Sequence, residues 1–230
     1  MSDGRRWLLA LDTATNTIVV AAGEMDGTPL GVETFHGRYR HSQELLPAVS
    51  RLVERLGLKL ADLGGIVAGT GPGAFTGLRV GLATAKTLAH ELRVPVAGVG
   101  TAEAVLVTQP TGSAVWLPSG PRDRVAITRG RPPAIVGADD APPWRVDNDP
   151  VSDRVDIAID LDGRAGDAAI ERGREALERL PETLLRLGAD RIRAGDTDDP
   201  ERLVPQYASP PRGASAKQAA GGVAWSRDPR

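Results

Sequence analysis

Short apolar runs and longer periodic ones alternate along the first hundred residues. "WLLALDTAT" and "TIVVAAGEM" are apolar, β-rich runs flanking the polar turn Thr13 to Asn16, which predicts a hairpin. After the Asp26-Gly27 turn, "LGVETFHG" reads as a third antiparallel strand. Leu45, Leu46, Val49, Leu52, Val53 and Leu56 then fall at helical spacing, with Gly57 as C-cap and Ser42 as N-cap. "GGIVAGTG" predicts a buried strand, Phe75 to Leu92 a second helix ending before Pro95, "PVAGVG" a strand and "TAEAVLVTQ" a helix. From about Thr108 the pattern shortens: "SAVWLPSG", "RVAITRG", "PAIVGA" and "RVDIAIDLDG" read as strands, and "PPWRVDNDPVSD" as a loop. Two helices are predicted to follow, Gly166 to Leu180 and Pro181 to Ala194. This divides the chain into lobes at 1–107 and 108–211, and the unperiodic segment 212–230 reads as a disordered tail.

Composition narrows the class. The 230 residues are 41% hydrophobic and 25% charged, an ordinary globular balance. There is no cysteine, so disulfides and thiolate metal sites are excluded. The apolar run before Asp12 is too short for a signal peptide or a membrane span, which predicts a soluble, cytoplasmic protein without membrane contact. A net charge of −2 with no lysine or arginine cluster argues against a nucleic-acid face of its own.

The candidate chemistry centres on "GTGPGAFTGLRVGLATAKT", Gly69 to Thr87, which holds five glycines. A Walker loop fails both on spacing, with three residues instead of four after Gly81, and on its second glycine, where Ala85 stands. Gly69, Gly71 and Gly73 are spaced GxGxG, so the dinucleotide fingerprint fails too. What remains is a glycine turn at a helix N-terminus, which either binds an anion through free N–H groups or permits close packing. Asp12 ends the first strand, where a nucleotide-binding protein of this architecture would hold metal and phosphate; the competing reading is a turn-forming carboxylate that caps Thr15 or Asn16. Asp12, Thr13, Gly71 and Gly73 therefore form the candidate anion or nucleotide cleft. His36 and His41 are five apart and His90 is isolated, which is not ligand spacing, so no metal or cofactor is expected.

Gly77, Gly81, Ala85 and Ala89 recur every four residues on one face of the second helix. Leu78, Leu82, Leu88 and Leu92 occupy another face and suit a core. The small face is then expected to admit a partner helix closely.

The β-β-β-α-β-α order is that of the lobe shared by actin, hexokinase and Hsp70-type ATPases, so the fold class expected is α/β, ASKHA-like, with two lobes of mixed sheet and flanking helices. "LALDTAT", "HSQELLPAVSRLVERLGL", "ADLGGIVAGTGPGAFTGLRVGLATAKTLAHEL" and "VPVAGVGTAEAV" closely resemble the TsaB (YeaZ) family, also labelled glycoprotease or M22 peptidase homologues. The likeness resumes at "LPETLLRLGADRI" and "LVPQYASPP" and fades between, where "SGPRDR" stands in for a "DARR"-like stretch. The resemblance implies a noncatalytic subunit in the synthesis of tRNA threonylcarbamoyladenosine, paired with the catalytic subunit TsaD. It also implies TsaE as ATPase, tRNA contact only through the complex, and a homodimer when alone. Carried over by motif, the interface positions are His41, Leu45, Val49, Gly77, Gly81, Thr84, Ala85 and Thr87. The rival expectations are an ATP-using or metal-dependent hydrolase and a direct tRNA-binding module.

Overall fold

A computed structural model of the chain describes residues 6–37, 41–119, 122–137 and 153–207, with only the backbone of residues 41 and 42. The first apolar run forms β1 (Trp7–Asp12), which turns at Thr13–Asn16 into antiparallel β2 (Thr17–Glu24). β3 (Pro29–His36) pairs with β2 at the sheet edge, and its residues alternate in exposure as one wet face requires. β4 (Leu63–Gly71) lies parallel to β1, and β5 (Val96–Gly100) parallel to β4, giving the order β3-β2-β1-β4-β5. All nine residues of β4 are buried because helices cover both faces.

Two of these helices are α1 (His41–Arg55) and α2 (Phe75–Leu92). α1 begins at His41, so Ser42 lies inside its first turn rather than capping it. Gly57, at φ 64°, closes it while Leu58 N–H reaches back to the Val53 carbonyl. Leu9, Leu11, Ile18, Leu52, Leu82 and Ala85 belong to the core between this layer and the sheet. α3 (Thr101–Leu106) follows β5 directly.

The second sheet runs β8-β7-β6-β9, from β6 (Ala114–Ser119), β7 (Asp123–Ile127), β8 (Ala134–Val136) and β9 (Asp156–Ala158). β6 pairs antiparallel with β7, β7 antiparallel with β8, and β6 parallel with β9. Those are the order and senses of β3-β2-β1-β4, so the chain repeats one topology with no visible sequence repeat. The expected loop "PPWRVDNDPVSD" and the tail 212–230 lie almost wholly and wholly, respectively, outside the described residues.

The two helices expected on either side of Pro181 are one. α4 (Asp167–Arg193) runs unbroken for 27 residues, about 40 Å at 1.5 Å per residue. Pro181 removes a hydrogen bond and costs a helix interior ~3 kcal/mol. Against this, the buried row Ala176, Leu180, Leu184, Leu185 and Ala189 continues through it, and each large apolar side chain contributes ~1.5–3 kcal/mol. α4 packs on β9 of the second sheet and on β1, β2, β4 and β5 of the first. Two glycines permit this: a Cβ at Gly173 would collide with the Ala158 carbonyl, and one at Gly188 with Val67. Among the described residues no helix is long and apolar enough to cross a membrane.

Candidate functional site

The β1–β2 turn, the glycine turn after β4 and the start of α3 meet at Asp12. Its side chain is wholly buried. Oδ1 accepts the Ala14 N–H at 2.8 Å, and Oδ2 accepts the Thr101 hydroxyl at 2.6 Å. Thr101 Oγ1 in turn accepts the Gly71 N–H at 3.1 Å. Gly69 has no side chain because a Cβ there would overlap the Asp12 carboxylate. Burial pushes the Asp12 carboxyl up to about 6, against the lowering effect of its two hydrogen bonds.

The glycine turn packs against this knot. A Cβ at Gly73 would strike the Ala14 carbonyl, which already accepts the Ala74 N–H at 2.7 Å. Gly71 adopts φ 96° and precedes a cis Pro72. The four residues expected to form an anion cleft are thus brought together, but they face one another. Asp12 and Thr13 are buried, the Gly71 N–H is taken, and Gly73 is pressed on backbone. The arrangement is a turn clasp whose polar groups are spent on one another. Asp12 is a turn-forming carboxylate, and the N–H it accepts is that of Ala14 rather than of Thr15 or Asn16.

The small face of α2 also points inward. Gly77, Gly81, Ala85 and Ala89 are buried within this chain. The Thr13 hydroxyl donates to the Gly77 carbonyl at 2.7 Å, and a Cβ at Gly81 would collide with that hydroxyl. Leu45 and Val49 of α1 are core residues as well. As free contact positions Leu45, Val49, Gly77, Gly81 and Ala85 are corrected: Gly77 and Gly81 let α2 approach the β1–β2 turn, because a helix laid over a tight turn has no room for side chains there. Thr84 is half-buried, Thr87 is exposed, and the side chain of His41 lies outside the described residues.

The outward side of the layer carries different residues. Leu46 is 51% exposed and Phe75 40%. Phe75 stacks on Tyr207 with centroids 5.0 Å apart, and the Arg79 guanidinium lies 3.8 Å over the Phe75 ring and donates to the Tyr207 hydroxyl at 3.1 Å. Leu46 reads from the sequence as one of six periodic apolar positions, and only its place one residue after Leu45 hints that it lies off the core stripe. Among the described residues no group of three histidine or carboxylate side chains is placed to hold a metal ion.

A family model described as TsaD: tRNA N6-adenosine threonylcarbamoyltransferase matches residues 36–180, more than half of the chain. The chain belongs to this family. Its relatives include proteins named tRNA threonylcarbamoyladenosine biosynthesis protein TsaB. That of Escherichia coli is 36% identical over 113 residues, 49% of this chain and 46% of the relative. That of Bacillus subtilis is 35% identical over 96 residues, 42% of each chain. An uncharacterised protein of Mycobacterium tuberculosis is 37% identical over 99 residues, 43% of this chain and 47% of its own. The chain spans about half the length of the curated relatives it matches. The structure of YeaZ from Pseudomonas aeruginosa superposes with a TM-score of 0.62 at 24% identity, covering 88% of this chain and 99% of that one, and shows the shared fold.

Proposed function

We propose that this chain is a noncatalytic scaffold subunit for the synthesis of threonylcarbamoyladenosine in tRNA, supporting a TsaD-type catalytic subunit. TsaE supplies ATPase activity in this reading, and tRNA is engaged through the complex. The observation that carries it is the sealed Asp12 clasp, which occupies the place where a nucleotide-binding protein of this architecture would hold phosphate. The names of the TsaB relatives support the pathway. The partner surface is the outward side of α1 and α2, where Leu46, Phe75, Thr84 and Thr87 stand, and a second copy occupies it when the catalytic subunit is absent.

Reconstitution tests this. Threonylcarbamoylation of tRNA by TsaD and TsaE is expected to depend on adding this chain. Leu46→Asp with Thr87→Asp should abolish both stimulation and co-elution with TsaD, while Asp12→Asn retains both. ATP or peptide hydrolysis by the chain alone, lost in Asp12→Asn, would restore the hydrolase reading. Tight binding of tRNA alone at physiological salt would favour the tRNA-binding module.

A further inference from the structure

Between the two sheets, beside the far end of the β1–β2 turn, lies a cavity of about 340 Å³. That is within the range of small-molecule sites, roughly 300–1,000 Å³. One wall comes from the ends of β2 and β3, with Thr17, Thr34 and His36; the other comes from the segment after β9 and the first half of α4. Three carboxylates line it: Asp160, Asp162 and Glu178. The cation facing them from α4, Arg174, is already engaged, with Glu171 at 2.9 Å and Asp162 at 3.7 Å. Three carboxylates against one arginine and one histidine leave the lining net negative.

Asp160 is held in place. It adopts φ 57°, and its Oδ2 accepts the Asn16 N–H at 2.7 Å across the two lobes. A non-glycine residue in the left-handed region is uncommon, although aspartate tolerates it better than most. Burial raises the Asp160 carboxyl and Asp162 adds to this, against the lowering effect of the Asn16 hydrogen bond and of His36; a cation bound beside it would stabilise the ionised carboxylate and lower it again. A polyphosphate would meet like charge on the segment after β9 and on α4. Ile170 and Leu177 on α4 offer an apolar strip beside the carboxylates, suited to methylene groups.

We propose that this interlobe cavity binds a small organic cation, an alkylammonium or alkylguanidinium, whose charge meets Asp160 and Glu178 and whose methylenes lie on Ile170 and Leu177. The site is separate from the partner surface on α1 and α2, and its test does not depend on that reading. Calorimetric titration of the full chain at low ionic strength uses spermidine and agmatine as probes. At least one is expected to bind, and to weaken about tenfold or more in Asp160→Asn and in Glu178→Gln. Asp160→Asn keeps an acceptor for the Asn16 N–H and tolerates the backbone angle; exposed Glu178→Gln repeats the test should the first variant melt early. Glu54→Gln, an exposed acid on α1, should leave binding unchanged. The proposal is overturned if neither probe binds up to ~10 mM. Binding indifferent to both cavity variants, or Mg·ATP binding that those variants abolish, overturns it equally.

Discussion

Asp12 is a buried carboxyl whose protonation is coupled to folding. With its pKa raised from 3.8 to about 6, it holds a proton more tightly folded than unfolded. Its contribution therefore favours the folded state below about 4 and is lost as the pH rises through 6. The span corresponds to about 3 kcal/mol. Denaturant melts from pH 7 to pH 4 should show the wild type gaining about 2–3 kcal/mol relative to Asp12→Asn. A difference that does not change with pH would mean the carboxyl titrates normally. Gly81 makes the second test at this scale. A leucine there would drive Thr13 from the Gly77 carbonyl, so Gly81→Leu should lower stability by ~3 kcal/mol or more, despite its better helix propensity. A folded variant with wild-type melting would return the small face to the surface.

At the scale of elements, the segment after α4 acts as a strap. Asp198 pairs with Val96 beside β5 and accepts the Gly98 N–H at 2.7 Å, while Arg191 ties it back to α4 at 2.9 Å. Leu203 is buried under α2, its carbonyl meets Lys86 Nζ at 3.3 Å, and Gln206 N–H bonds the Thr70 carbonyl at 2.8 Å. Tyr207 ends the strap on Phe75 and Arg79. A double-mutant cycle of Tyr207→Ala and Phe75→Ala should return a coupling of ~0.5–1.5 kcal/mol in thermal or chemical melts. Zero coupling would mean that the rings meet without holding the strap. α1, α2 and the first five strands were legible because each carries its own period or a complete apolar run. The sequence divides α4 at one residue: Pro181 is a local stop signal, and the apolar row that overrides it has meaning only against two sheets.

Across the whole molecule, α4 and one continuous core join the halves that composition separates. Leu8 and Val67 of the first sheet share a buried cluster with Val115 and Ile157 of the second, through Leu180 and Leu184. The lobes should accordingly unfold together. Calorimetric and van't Hoff enthalpies should agree, and fluorescence of Trp7 and Trp116, one in each sheet, should report the same midpoint in single-tryptophan variants. Two separated transitions would show the lobes to be independent.

The order of elements, the apolar stripe of each helix and the family motifs are properties of neighbouring residues, so the linear chain determined them. Which way a stripe of small residues turns is different, because glycine and alanine suit a crowded core and a close interface equally. Tertiary structure decided that Gly77 and Gly81 lie over Thr13 and that Gly69, Gly71 and Gly73 close around Asp12 and Ala14. The interlobe cavity was illegible for the same reason. Asp160 stands 124 residues from His36 along the chain, and only the packing of α4 across both sheets brings their walls together.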